Sequence, residues 1–352
     1  MAEIDRFLEF LVQRDGSDLM LMSGSRAVVR VHGTLRPITF GNSDSDILTD
    51  EILRPLVYEI LSSRQIKILE EEGELDLAYG LPGISRFRSN VYMQSHGIAI
   101  AFRAIPSKIR SLDELGFPEG VKRLASTQRG FILVCGPSGC GKTTTLASMV
   151  DYINRTRHSH IITIEEPIEY IHNNINCIIT QRQVGPHTES FSSALRVAVR
   201  QDPDVIMVGE MRDLETISTA LTTAETGALV FGTLHTDNAA KTINRIINVF
   251  PFEQRSQIRT LLSETLTGVV AQQLLIRADR SGMVAAAEVL IGIPAISNAI
   301  REGKIEQMIS IMETGRRYGM QILDEHLLEL VQACTITPEA ARKKARNKKL
   351  FA

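Results

Sequence analysis

Gly136-Pro137-Ser138-Gly139-Cys140-Gly141-Lys142-Thr143-Thr144 contains a glycine, four further residues and then Gly-Lys-Thr, which is the pattern of a phosphate-binding loop. The apolar run before it, residues 131–134, predicts a buried parallel strand, and residues 145–150 after it predict a helix. Glycines let the backbone point its N–H groups at phosphate oxygens, and the helix start adds a positive dipole end. The stretch therefore predicts a nucleotide site.

Single residues of this loop have separate expected roles. Lys142 is expected to reach the β- and γ-phosphates, and the hydroxyl of Thr143 is expected to bind Mg²⁺. Because Cys140 lies inside the loop, we also expect thiol reagents to inhibit turnover. The residues expected to bind the nucleotide, ATP, are Gly136, Ser138, Gly139, Cys140, Gly141, Lys142, Thr143 and Thr144.

The composition is that of a soluble globular protein with room for two domains, since 43% of its 352 residues are hydrophobic. Its 39 basic and 41 acidic residues nearly balance, only 5% are aromatic and tryptophan is absent. These values argue against a nucleic-acid binder with a basic channel or stacked bases. The acidic start and the lack of an apolar run of about 18 residues predict a cytoplasmic protein that contacts a membrane only through partner proteins.

The pattern of the chain changes after its first third. Residues 1–105 mix short alternating runs with helical segments, including a helical region from residue 50 to about residue 72, and this mixture predicts a small α+β domain. Residues 106–120 have little periodicity and predict a linker. Over residues 121–352, apolar strands alternate with helical segments before a mainly helical end, which predicts a parallel α/β sheet of the RecA type.

Three arginines stand out in the first domain. Alternation of apolar and polar residues over 86–93 and 98–105 places Arg86, Arg88 and Arg103 on the polar faces of two predicted strands. One interpretation is a solvated outer face. The other is that the guanidinium groups reach phosphates bound by another subunit.

Polar residues also follow three apolar strands of the second domain, at the strand ends where α/β proteins bind ligands. Glu165 ends the first and is expected to polarise the water that attacks the γ-phosphate. Glu210 comes just past the second and is expected to orient Mg²⁺ or its water shell. His235 follows the third, and we expect it to sense the γ-phosphate, since a neutral imidazole donates to phosphate in one nucleotide state only.

Together these motifs resemble the secretion ATPase superfamily and, within it, the type IV pilus retraction ATPases. The resemblance rests on the loop and on residues 164–169, 202–216 and 232–236, and it extends over essentially the full chain. It implies a PAS-like domain before a RecA-like ATPase domain, and a homohexamer with ATP between subunits. It also implies that Glu165 is the catalytic glutamate, that Glu210 is the Walker B glutamate, and that Arg88 and Arg103 are candidates to act on a neighbour's nucleotide.

The resemblance leads us to expect a cytoplasmic motor that is peripheral at the inner-membrane pilus base. This motor is expected to hydrolyse ATP to ADP and phosphate and to use the energy to disassemble a pilus. Its expected partner is an inner-membrane platform protein. The first alternative is a pilus extension or type II secretion ATPase, but those relatives usually carry additional amino-terminal domains and a tetracysteine insertion not seen in this sequence. A RecA-like nucleic-acid translocase is opposed by the low aromatic content. A regulator that binds ATP without hydrolysing it is opposed by Glu165 and Glu210.

Overall fold

The computed structural model describes residues 2–14, 16–31, 34–38, 47–105 and 108–351. The chain divides into two compact units, Met1–Lys108 with Pro167–Ile171, and Ile109–Glu166 with His172–Ala352. Each unit has its own buried hydrophobic core. None of the helices in the described ranges is long and apolar enough to cross a membrane.

Strands and helices alternate irregularly in the amino-terminal unit, which is an α+β structure. Six of its strands form an antiparallel sheet, and two very short strands pair separately. In chain order its described elements are α1 (Asp5–Gln13), β1 (Gly16–Met22), β2 (Ser25–Arg26), β3 (Val28–Val31), β4 (Thr34–Pro37), β5 (Ile47–Leu48), α2 (Asp50–Glu59), α3 (Ser63–Glu72), β6 (Glu74–Leu81), β7 (Ser85–Gln94) and β8 (Gly97–Ile105). The order across the large sheet is β4-β3-β1-β8-β7-β6.

The helical region predicted from residue 50 to about residue 72 is confirmed, and the structure divides it into two helices, α2 and α3. Ser62 starts the second helix with a capping box: its hydroxyl accepts the N–H of Gln65, and the Gln65 side chain accepts the N–H of Ser62. Gly73 ends this helix in the left-handed conformation, with φ of 81°. A local hydrogen-bonding motif thus interrupts a helical pattern.

The second unit is built on a seven-stranded sheet with helices. Its described helices and strands are α4 (Glu119–Ala125), β9 (Gly130–Cys135), α5 (Lys142–Thr156), β10 (His160–Glu165), β11 (Ile178–Gln183), α6 (Phe191–Ala198), β12 (Val205–Val208), α7 (Leu214–Glu225), β13 (Leu229–Leu234), α8 (Ala239–Val249), α9 (Arg255–Thr265), β14 (Leu266–Ile276), β15 (Met283–Ile291), α10 (Pro294–Arg301), α11 (Met308–Thr314), α12 (Leu323–Gln332) and α13 (Pro338–Lys344). Short 3-10 helices cover Val199–Gln201, Phe252–Gln254, Ile305–Gln307, Arg316–Tyr318 and Lys348–Phe351.

Strand β9, which leads into the phosphate-binding loop, lies inside this sheet. The strand order is β11-β10-β12-β13-β9-β14-β15, and all neighbours are parallel except β14 and β15. Every residue of β9, β12 and β13 is buried, as expected for strands covered on both faces. The parallel arrangement brings the carboxyl ends of β9, β10, β12 and β13 to one edge of the sheet.

Candidate functional site

The loop between β9 and α5 depends on glycines with positive φ. Gly136, Gly139 and Gly141 have φ of 147°, 73° and 89°. A Cβ on Gly136 would overlap the carbonyl oxygen of Gln272, so side chains are excluded there by packing as well as by conformation. Helix α5 begins at Lys142, directly after these turns. The loop therefore presents backbone N–H groups and a helix start, the arrangement that binds phosphate.

Lys142 folds back onto the loop. Its Nζ donates to the carbonyl oxygens of Gly136 at 2.9 Å and Pro137 at 3.2 Å, and it lies 3.4 Å from Nδ1 of His235. An ammonium group donates and cannot accept, so Nδ1 is the acceptor in this contact. Lys142 is thus held against the loop by hydrogen-bond acceptors that the oxygens of a bound phosphate would replace.

His235 connects this lysine to an acidic side chain. Its Nε2 lies 3.1 Å from Oε1 of Glu210. Because Nδ1 accepts from Lys142, the hydrogen-bond network assigns the ring proton to Nε2, which donates to Glu210. The structure therefore brings Lys142, His235 and Glu210 into one hydrogen-bonded chain, a connection that their sequence positions do not reveal.

Glu210 is also held by Arg212, whose Nη2 lies 2.7 Å from its Oε2. The hydrogen bond from Arg212 is the main cause that lowers the pKa of the Glu210 carboxyl, and burial opposes it. An ionised carboxylate at this position suits a hard cation such as Mg²⁺.

The oxygen donors expected to hold Mg²⁺ are the Thr143 hydroxyl, at the start of α5, and the Glu210 carboxylate. Across the described ranges, no group of three or more His, Cys, Asp or Glu side chains is placed to hold a metal ion by itself. Magnesium usually binds one or two protein oxygens together with nucleotide phosphates and water. The residues present fit that type of site.

Glu165 is buried at the end of β10, with 5% of its surface exposed. Its Oε1 accepts hydrogen bonds from Thr163 Oγ1 at 2.6 Å and from Gln181 Nε2 at 3.1 Å. The following residue, Glu166, is exposed. Of the two consecutive carboxylates, the structure thus encloses only Glu165 in a polar network.

Gln272 of β14 is a site residue that the sequence does not reveal. It is 1% exposed, its Nε2 donates to the carbonyl oxygen of Cys140 at 2.7 Å, and its Oε1 accepts from Thr145 Oγ1 at 2.8 Å. One side chain thus ties the loop to the first turn of α5. Its only sequence signal is a pair of adjacent glutamines, Gln272 and Gln273, within a mainly apolar strand.

Cys140 does not have the environment that its position in the loop suggested. Its side chain is buried, with 2% of the residue exposed, and burial raises the pKa of its thiol. A buried, protonated thiol reacts slowly with alkylating reagents. Thiol reagents are therefore not expected to inhibit turnover through Cys140. Cys334, in contrast, is exposed.

The arginines of the amino-terminal unit lie on its sheet. Arg103 of β8 is opposite Asp18 of β1, and its Nε donates to Asp18 Oδ1 at 2.8 Å. Arg30 of β3 lies on the other side of Asp18, with its Nε 3.3 Å from Oδ2. Burial raises the pKa of Asp18, but the hydrogen bonds from Ser17 and Arg103 and the two arginine charges lower it overall. Arg103 therefore has an intramolecular carboxylate partner.

Arg88 of β7 lies directly opposite Arg103 in the register of the sheet. Its side chain is exposed, and within the described part of the chain it forms no hydrogen bond or ion pair. Arg86 is two residues earlier on the same face and is half-buried. Arg88 is thus the arginine of the three that is most available to an external anion.

Comparison with known proteins agrees with these features. A profile of the family described as "Type II/IV secretion system protein" matches residues 67–350. The chain is 48% identical over 344 residues to the type IV pilus retraction ATPase PilT of Pseudomonas aeruginosa, and the match covers 98% of both chains. It is 48% identical over 320 residues to a twitching motility protein of Neisseria gonorrhoeae, covering 91% of this chain and 84% of that one.

A crystal structure of the pilus retraction motor PilT with bound ADP matches the fold with a TM-score of 0.90 and 42% identity, over 99% of this chain and 98% of the other. The predicted fold class, an α/β ATPase domain after a small α+β domain, is thereby confirmed, as is nucleotide binding. The PAS-like character of the first domain stays a prediction. The chain belongs to the Type II/IV secretion system protein family and is an ATPase similar to the pilus retraction ATPase PilT.

Proposed function

We propose that this chain is the subunit of a cytoplasmic homohexameric motor, peripheral at the inner-membrane pilus base, that hydrolyses ATP to retract type IV pili. One observation carries the proposal: the similarity to a pilus retraction ATPase runs over 98% of both chains. An inner-membrane platform protein is the proposed partner through which the motor acts on the pilus.

The proposed roles in hydrolysis follow from the geometry of the strand edge. Glycine-loop N–H groups bind the phosphates, and Lys142 exchanges the loop carbonyls for the β- and γ-phosphates. Thr143 and Glu210 would hold Mg²⁺, which would neutralise charge on the phosphate oxygens. Glu165 accepts a proton from the attacking water.

His235 is proposed to report the state of the nucleotide. When Lys142 turns to phosphate, Nδ1 of His235 loses its donor, while Nε2 keeps its contact with Glu210. The ring then has a different set of partners with and without a γ-phosphate. Such a change biases the conformation of the loop that follows β13.

The test uses a piliated strain that lacks its own copy of this gene and carries either the wild-type chain or Glu165→Gln. We expect the wild type to restore retraction, and Glu165→Gln to leave pili on the surface that do not retract. In vitro, Glu165→Gln should lower ATP turnover by about 10²- to 10⁴-fold while ATP still binds, as for a lost acid/base group. The control is Glu166→Gln, which changes the exposed neighbouring carboxylate and should keep most of the activity.

Two outcomes would reject the proposal. A loss of surface pili in the strain without the gene would assign the chain to pilus extension instead. A Glu165→Gln variant that retains more than about a tenth of wild-type turnover, where a positioned acid/base contributes at least about 10², would remove Glu165 from the catalytic role.

A further inference from the structure

Two polar side chains contact the buried Glu165 carboxylate, and neither has an assigned role. Thr163 lies two residues before Glu165 on β10, so both side chains are on the same face of the sheet. Gln181 of β11 is the direct cross-strand neighbour of Thr163 and shares that face. The sheet register therefore places the two side chains beside the carboxylate.

The amide of Gln181 has its orientation fixed from the other side. Its Oε1 accepts the backbone N–H of His172 at 2.8 Å. A backbone N–H can only donate, so the oxygen of the amide must face His172 and the NH₂ group must face Glu165. Gln181 is thus obliged to act as a donor to the carboxylate.

Thr163 is equally restricted. It is fully buried, and its hydroxyl donates to the same Oε1 of Glu165 at 2.6 Å. Two donors on one carboxylate oxygen favour the charged form of the group and restrict its rotation. Loss of either donor would leave the carboxylate less restricted in orientation.

We propose that Gln181 and Thr163 are positioning residues that hold the Glu165 carboxylate in one orientation for activation of the attacking water. This inference rests on the proposed function, in which Glu165 activates that water. Neither residue is proposed to touch the nucleotide, so both act on the rate of hydrolysis through Glu165 alone.

The test compares Gln181→Met and Thr163→Val in the full-length protein. Both remove a donor and approximately preserve the side-chain shape. We expect each to lower kcat on the order of tenfold, the usual effect of a lost hydrogen bond to a charged group, with the KM for ATP and the affinity for ADP changed by less than about twofold. Thr163→Ser keeps the hydroxyl and should restore most of the rate.

The pH profile separates positioning from a general structural effect. A carboxylate that has lost a donor takes up its proton at higher pH, so the acidic limb of kcat should move to higher pH in Gln181→Met and Thr163→Val. The other titratable or charged groups near this strand edge include Lys142, Glu166, His172, Glu210, Arg212 and the neutral His235, and they are unchanged in these variants. The matched control is Thr180→Val, whose hydroxyl contacts His160 from the other face of β11.

The inference is overturned if kcat and its acidic limb are unchanged in both variants. It is also overturned if kcat falls only together with the affinity for ADP or the thermal midpoint, since that pattern indicates a folding or binding role. If Gln181→Met does not fold, Thr163→Val and Thr163→Ser decide the question. An active Glu165→Gln enzyme would instead reject the proposed function, so the two failures are distinguishable.

Discussion

At the scale of single residues, the arrangement of Lys142 is the reason why we expect His235 to respond to a nucleotide. The ammonium group has three N–H donors, and this structure gives it three acceptors: two loop carbonyls and Nδ1 of His235. Binding a γ-phosphate to this ammonium group must release some of these contacts. The Nδ1 contact, at 3.4 Å the longest of the three, is the one that we expect to be lost first.

This exchange predicts a selective effect of His235→Ala. We expect kcat to fall by about 10- to 100-fold, the range for a hydrogen bond to a charged partner, while ADP affinity changes by less than about threefold because ADP lacks the γ-phosphate. Calorimetry with ADP and steady-state ATPase assays measure the two quantities. His158→Ala, an exposed histidine just before β10 at the opposite edge of the sheet, is the control. Equal losses of ADP affinity and kcat would show that His235 builds the site and does not sense the γ-phosphate.

At the scale of elements, the sequence predicts the strand ends well because each motif is local. An apolar run followed by Glu165, by Glu210 or by His235 identifies both the strand and the residue at its end. The supporting residues are different: Gln272 and Cys140 are hydrogen-bonded but lie 132 positions apart in sequence. Their contact exists because β14 pairs with β9, and strand order across a sheet is set by tertiary packing. For the same reason, the burial of Cys140 was not predictable.

A buried ion pair ties the carboxy-terminal segment to the sheet. Glu288 of β15 has a 3% exposed side chain, its Oε2 lies 2.6 Å from Nη2 of Arg346, and its Oε1 accepts the N–H of Ala239 at the start of α8. Burial raises the pKa of the Glu288 carboxyl, and the Arg346 charge opposes this shift. Removing the arginine would leave a buried charge without its partner, which is more damaging than removing both charges.

The prediction is that Arg346→Met lowers the free energy of unfolding by a few kcal/mol, within the range for a broken buried pair and reduced because Arg346 is partly exposed. Adding Glu288→Gln should recover much of this loss, since glutamine still accepts from Ala239 without a charge. The difference in the free energy of unfolding between Arg346→Met and the double variant should widen from pH 5 to pH 8. A buried acid with a raised pKa is tolerated when protonated and destabilises the fold when ionised. Denaturant titrations at both pH values measure this difference, and a double variant no more stable than Arg346→Met would contradict the argument.

At the scale of the whole molecule, the proposed ring requires that a site on one subunit be completed by the next. The alternation of apolar and polar residues in β7 and β8 predicts arginines on a polar face, but this pattern does not rank them. The structure separates two of them, since Arg103 donates to Asp18 whereas Arg88 has an exposed guanidinium group with no ion pair in the described ranges. Pairing is a tertiary property, because Asp18 comes from a strand 85 residues away from Arg103.

Arg88 is therefore the arginine that we expect to act on a neighbour's nucleotide. Arg88→Ala should lower kcat by about 10³-fold or more, as for other arginines that act in trans, with little loss of stability because the exposed side chain has no hydrogen bond or ion pair within the described ranges. Lys142→Ala should be inactive for a different reason, since it lacks the phosphate-binding amine.

When the two inactive proteins are mixed in equal amounts and exchange subunits, about one in four head-to-tail interfaces combines an intact Lys142 with an intact Arg88. The ATPase activity of the mixture should approach that fraction of the wild-type rate. The control is a mixture of Arg103→Ala with Arg88→Ala, in which no interface has both arginines. If Arg103 is also needed, the activity of this control mixture should stay well below one quarter of the wild-type rate. No recovery at any mixing ratio, with subunit exchange verified by labelled protein, would mean that Arg88 does not contribute to a shared site.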